Sequence, residues 1–149
     1  MGEYRYEESG LDNVVLIDLP ECVDDDGDEC ITIPNINVLH RAIAGAIVRH
    51  PKGMNGKELR FLRTEMGMTQ AELARVVSRE GLAIGRWERG ERPIDTNAEA
   101  LIRLLAKDRL GLELSATVDQ ITGWCVQTAE VQPITIDASD PTSYRPLAA

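Results

Sequence analysis

The chain has 149 residues, 43% of them hydrophobic and 4% aromatic, with a formal net charge of −9. That is room for one ordinary domain, or for a small core with accessory arms. No apolar run approaches the roughly 18 residues that span a bilayer, and the opening MGEYRYEESG lacks the basic-then-apolar order of a secretion signal. The expectation is a cytoplasmic protein with no membrane partner.

Taken whole, the negative charge argues against a nucleic-acid partner; taken in parts, it does not. Residues 1–38 hold one Arg against eleven Asp and Glu, a net of −10. Residues 39–109 hold fourteen Lys and Arg against nine acids, a net of +5, and residues 110–149 hold one Arg against five, a net of −4. A basic centre lies between acidic ends, the asymmetry that makes charge informative about partners. Cys22, Cys30 and Cys125 include no CxxC pair, which predicts reduced thiols rather than disulfides.

From Tyr4 to Pro34 the pattern is β. The run Val14–Leu19 and the run Cys30–Ile33 predict two strands of a hairpin, with Pro20–Glu29 as its polar turn and Pro34 as its end. Asp24, Asp26 and Asp28 alternate around Gly27, as carboxylates on calcium do. An EF-hand loop needs its Gly one place later and a Glu at position twelve, which here is Asn35. A solvated hairpin tip is the better reading.

The period then changes. Asn37 is a candidate cap for a helix to His50, with Leu39, Ile43 and Ile47 on one face; His40 and His50, ten residues apart, fall on different faces and predict no shared metal. Asn55 caps a helix over Lys57–Met66, stopped at Gly67. Thr69 with Glu72 forms a capping box for a helix over Gln70–Val77, burying Leu73, Ala74 and Val77. Ser78–Glu80 is a turn, and Gly81–Arg89 the helix after it. Asp95 or Thr96 caps a longer helix to about Leu110, with Leu101, Leu104 and Leu105 as its apolar stripe. Beyond Gly111, Thr117–Cys125 suits a short helix with Trp124 packed down. Val131–Ile136 suits a strand that could join the N-terminal hairpin, and the tail from Asp140 reads as extended.

Thr69-Gln70 and Arg86-Trp87-Glu88-Arg89-Gly90 carry a resemblance to the lambda repressor and Cro class of regulators, the Xre family, whose usual form is TQxELAxxxG followed by xxSRWExG. The spacing from Gln70 to Glu88 is the one that family uses, and the likeness covers roughly residues 56 to 109. It implies a mainly α fold: a five-helix, lambda-repressor-like helix-turn-helix domain with a small N-terminal β-hairpin arm and an irregular C-terminal tail. The corresponding segments are 1–38, an acidic arm; 39–110, the DNA-binding domain; and 111–149, an extension that forms a strand or a dimer contact. Tyr4 to Val14, followed by a strand, a helix and this domain, is similar to antitoxin-type regulators related to MqsA. Their zinc finger uses two CxxC pairs; only Cys22 and Cys30 stand here, so no structural zinc and no cofactor is expected.

The resemblance implies sites residue by residue. Leu82 and Arg86 share a face of the second helix; Arg86 suits guanine O6 and N7, while Leu82 suits a thymine methyl and donates nothing. Gln70 opens its helix, where free N–H groups attract phosphate. Arg60, Arg79, Arg89 and Arg92 are further phosphate candidates. Arg63 and Glu88 match family positions that form an ion pair, and Leu73, Ile84 and Trp87 read as core. At the positions of Gly81, Leu82 and Gly85 the family often has Gln, Ser or Asn; the two glycines allow close backbone approach to DNA or mark a surface no longer selected. No nucleophile elbow, phosphate loop or Cys–His pairing suggests an enzyme. Two functions stay open: a dimeric repressor of an operator in double-stranded DNA, in an antitoxin setting, or an interaction module whose acidic arm binds a basic toxin or another protein.

Overall fold

In the computed structural model, which describes residues 3–20, 22–23, 27, 29–30, 33–125 and 133–147, helices dominate. Six occur among the described residues: α1 (Ile36–Arg49), α2 (Gly56–Glu65), α3 (Gln70–Val76), α4 (Gly81–Glu88), α5 (Thr96–Leu110) and α6 (Val118–Trp124). Caps set their boundaries. Asn55, Thr69 and Thr117 each accept from the backbone three residues on, and Glu58, Glu72 and Gln120 return the bond, so α2, α3 and α6 all begin in capping boxes. Asp95 caps α5, and Gly111 ends it in the left-handed conformation. No helix among the described residues is long and apolar enough to cross a membrane.

The chain divides into two compact units. One comprises Met1–Ile43 with Gln132–Ala149, the other Ala44–Val131. The first is built on a four-stranded sheet of β1 (Glu3–Arg5), β2 (Val14–Ile17), β5 (Ile134–Asp137) and β6 (Arg145–Leu147), in the order β1-β2-β5-β6. β2 runs antiparallel to β1 and parallel to β5, with Val14 opposite Ile134 and Leu16 opposite Ile136. Those four side chains are buried and fall on one face by the alternation of the strands. Tyr6, Leu11, Leu39, Ile43, Ala138 and Tyr144 complete the buried apolar set. Hydrogen bonds tie the start of α1 to the tail: Asn35 Nδ2 donates to Pro141 O at 2.8 Å, and the Tyr144 hydroxyl donates to Pro34 O at 2.6 Å.

This pairing corrects the expected hairpin. Both edges of β2 are occupied, by a segment ten residues upstream and by one beyond residue 130, so the Cys30 segment has no place beside it. Asp18 at φ 56° and Pro20 turn the chain away after Ile17. Cys22–Val23 (β3) and Glu29–Cys30 (β4) instead form a separate two-stranded ribbon. The candidate calcium turn lies outside the described residues except for Gly27, as do Ile31, Thr32 and Val131. The strand expected over Val131–Ile136 stands at Ile134–Asp137 and joins the N-terminal strands, while the tail from Asp140, read as extended, supplies the fourth strand at Arg145–Leu147.

The second unit holds its apolar core among Leu59, Leu62, Leu73, Ile84, Trp87, Ala98, Ile102 and Ala106, all buried. Ala100, Ile121 and Cys125 form a satellite cluster, flanked by Leu104, Leu114, Ala116 and Trp124. The α5 stripe is not the expected one. Leu101 is exposed and Leu104 and Leu105 half-buried, while the inward face carries Glu99 and Arg103 between Ala98, Ile102 and Ala106. Arg103, 1% exposed, uses all five of its N–H groups: on Glu99 Oε2 through Nε (3.3 Å) and Nη2 (3.1 Å), on Val48 O (3.0 Å) and His50 O (2.8 Å) through Nη1, and on Lys52 O through Nη2. The guanidinium thereby caps the carbonyl end of α1, where a positive charge also suits the helix dipole. Trp124 lies over it at 5.7 Å. Glu99 Oε1 accepts from Met54 N, and the buried Lys52 ammonium sits 3.0 Å from Glu58.

His40 and His50 are both half-buried. His40 Nε2 lies 2.7 Å from the Tyr6 hydroxyl. His50 Nδ1 is buried without a hydrogen-bond partner among the described residues, and burial, helped by Lys52 and Arg103 against Glu58, holds the ring below its usual pKa range. Burial, with a contribution from Glu99, pushes the Cys125 thiol up to about 12.

Candidate nucleic-acid interface

Two short helices and the turn between them make the candidate site. α3 ends at Val76 with Val77 as its C-cap, and Ser78 takes φ 57°, so that Arg79 N can donate back to Ala74 O at 2.8 Å. Ser78 stands where TQxELAxxxG has its glycine. A side chain in the left-handed region costs about 1–2 kcal/mol relative to the right-handed one. Glu80 precedes α4 in extended conformation and its side chain makes no capping bond. α4 turns Ile84, Gly85 and Trp87 inward and leaves Leu82 and Arg86 outside.

A hydrogen-bonded carboxylate locks the base of the motif. Arg63 donates from Nε to Glu88 Oε2 at 2.5 Å and from Nη2 to Oε1 at 3.1 Å, while its Nη1 holds Met68 O at 3.0 Å. This two-pronged geometry is the strong form of a carboxylate–guanidinium pair. Gln70 Nε2 donates to the same Glu88 Oε1 at 3.1 Å. One carboxylate thus ties α2, α3 and α4 together, and the Gln70 amide nitrogen is turned onto it.

Two glycines carry the close packing. A Cβ on Gly56 would meet Trp87 O at 2.3 Å and Glu88 O at 2.5 Å, so the start of α2 abuts the end of α4 in a space only glycine fits. Gly85 is buried; a Cβ there would stand 3.0 Å from Arg89 Nη1 and 3.4 Å from Gln70 Oε1. Its small size makes room for those side chains, an explanation neither of the two sequence readings contained. Gly81 differs. Its Cβ would meet only Ala71 backbone at 3.7 Å, an ordinary contact, and nothing in the structure requires glycine there.

The candidate cations divide into two groups. Arg79 Nη2 pairs with Asp95 at 3.2 Å, the residue that also caps α5, and Arg89 pairs with Glu91 at 3.1 Å. The hydrogen bond to Glu91 holds the Arg89 guanidinium above its usual range, and Arg89 holds the Glu91 carboxyl below its own. Arg60, Arg86 and Arg92 are exposed and without an ion pair among the described residues. Arg75, exposed in the last turn of α3, adds a cation absent from the expected set. The buried Leu73, Ala74 and Val77 recur at helical spacing, and that periodicity, which leaves Arg75 on the outward side, could have found it.

Charge looks different by compact unit than by sequence segment. Ala44–Val131 holds thirteen Lys and Arg against twelve Asp and Glu, a net of +1, because Glu113, Asp119 and Glu130 belong to it and Arg41 does not. The sheet unit holds three against thirteen, a net of −10. Among the described residues no group of three His, Cys, Asp or Glu side chains stands together as metal ligands would. Compared with protein-family models, curated proteins and solved structures, the chain finds no match.

Proposed function

We propose that this protein is a sequence-specific DNA-binding regulator, a dimeric repressor in which α4 is the reading helix. The observation that carries the reading is the outer face of α4: Leu82 and Arg86, four residues apart, stand exposed, while Ile84 and Trp87 on the other side anchor the helix to the core. A helix of this diameter fits the major groove. Its order of caps, turn and Arg63–Glu88 tie supports the likeness to lambda-repressor-like domains. In this reading Arg86 takes a guanine edge, Arg60 and Arg92 take phosphates, and Arg79 and Arg89 exchange a carboxylate for a phosphate. Dimers on paired half-sites about one helical turn, ~34 Å, apart are the natural mode for such a motif.

Binding to the chain's own promoter and to scrambled DNA, measured across salt concentrations, tests this. A specific regulator prefers the promoter and weakens along a steep log–log slope. Arg86→Ala loses preference at one base pair, whereas Arg92→Ala weakens all sequences alike. Equal binding to both DNAs sinks the proposal.

A second reading draws on the charge of the compact units. A helical unit of net +1 has a weak overall field for DNA, and a sheet unit of net −10 suits a basic protein partner. This favours an antitoxin-like binder whose helix-turn-helix reads little or no sequence. Salt-sensitive capture of a small basic protein encoded beside it, with indifference to promoter DNA, distinguishes the two.

A further inference from the structure

Leu82, at 67%, is the most exposed large hydrophobic side chain among the described residues. A single exposed leucine is ordinary. This one shares a helix face with an exposed arginine, and its neighbours Gly81 and Ala83 are too small to shield it. We infer that the site reads a 5-methylpyrimidine beside a guanine and accepts thymine and 5-methylcytosine alike; the inference rests on the DNA reading above.

The argument is one of chemistry and spacing. Four helical residues rise about 6 Å, and successive base pairs along a strand are about 3.4 Å apart. If Arg86 holds guanine O6 and N7, Leu82 therefore meets the edge of a base within two steps of it. Thymine presents a methyl at C5 in the major groove, and 5-methylcytosine presents the same methyl. The two differ at position 4, carbonyl against amino, but Leu82 has neither donor nor acceptor to tell these apart. Uracil and unmethylated cytosine lack the methyl. The apolar contact thus sorts bases by methylation, and Arg86 alone reports guanine. Gly85, which could have held a polar reader, is buried under Gln70 and Arg89.

The full-length protein would be used to select duplexes from a random-sequence pool. The preferred duplex is then resynthesised with deoxyuridine replacing each thymine within two steps of the essential guanine, and with cytosine or 5-methylcytosine in the same place. Losing one methyl contact weakens binding about fourfold, the equivalent of ~0.8 kcal/mol per buried carbon group. The 5-methylcytosine duplex binds within about twofold of the thymine duplex, and the cytosine duplex matches the uracil one. Leu82→Ala binds thymine and uracil forms equally while keeping its guanine preference. If the wild-type protein binds both forms equally, or the uracil penalty survives in Leu82→Ala, the inference is overturned and the DNA reading stands. If no duplex is enriched, both fall.

Discussion

The helical unit closes over short distances: each capping box spans three residues, and α2, α3 and α4 are joined through Glu88, within 25 residues of Arg63 and 18 of Gln70. The sheet unit closes over long ones, since Val14 pairs with Ile134 and the Pro34 carbonyl with Tyr144. The two also differ in how they handle charge. The helical unit buries Arg103, Lys52, Glu58 and Glu99 in mutual pairs, whereas among the described acids of the sheet unit Glu3, Glu7, Glu8, Asp12, Asp18 and Asp140 are exposed and Asp137 is half-buried. A local fold tolerates charges inside when their partners are held close; a fold assembled from the two ends of a chain relies on apolar contact across one sheet.

That contrast can be broken experimentally. The largest effect is expected from Arg103→Ala, which leaves the Glu99 carboxylate buried without its partner and three carbonyls unpaired. Breaking such a pair costs about 3–5 kcal/mol, readable in urea unfolding, and an unchanged midpoint would show that the cluster is not structural. Ile136→Ala, removing a fully buried side chain opposite Leu16, costs about 2–5 kcal/mol. Hydrogen exchange then loses protection at Val14–Ile17 but keeps it at Leu59–Leu62; equal loss in both would mean that the units unfold as one. Ser78→Gly relieves the left-handed serine and stabilises the helical unit by about 0.5–1 kcal/mol, visible as a raised Tm. The smallest effect is in pH. Because His50 titrates lower in the folded chain than its unfolded value near 6.5, the unfolded state takes up the proton first. The stability it lends is complete above about pH 6.5 and declines as pH falls through the folded pKa. His50→Gln flattens that slope without altering stability at pH 8.

Where structure follows from neighbours in sequence, the sequence made it legible. Thr69 with Glu72 and Asn55 with Glu58 are local pairs, and helices stand where they point. The sheet was legible only in part: the alternation at Val131–Ile136 pointed to a strand that could join the N-terminal one, but nothing at Val14–Ile17 encodes the parallel register with Ile134–Asp137 or the arrival of Arg145–Leu147 beside it. The inward face of α5 was misread for a different reason. Glu99 and Arg103 on one face look like a solvent surface until each other's charge and the carbonyls of Val48, His50 and Lys52 are seen to compensate them. At the candidate site, the outward placement of Leu82 and Arg86 follows from helical period. What engages Arg79, Arg89 and Gln70 does not, since Asp95, Glu91 and Glu88 meet them only through the turns between helices.

The parallel pairing of β2 with β5 has a consequence during synthesis. Between Ile17 and Ile134 lie all six helices, so the whole helical unit leaves the ribosome before the sheet can be completed. At about 5–20 residues per second, β2 waits on the order of ten seconds with β1 as its only strand neighbour. Throughout that interval the chain carries an apolar strand with one open edge, the kind of surface that recruits chaperones or pairs with another nascent chain. Conditions that slow translation through residues 44–131 should therefore lower the yield of folded protein more than they lower its synthesis.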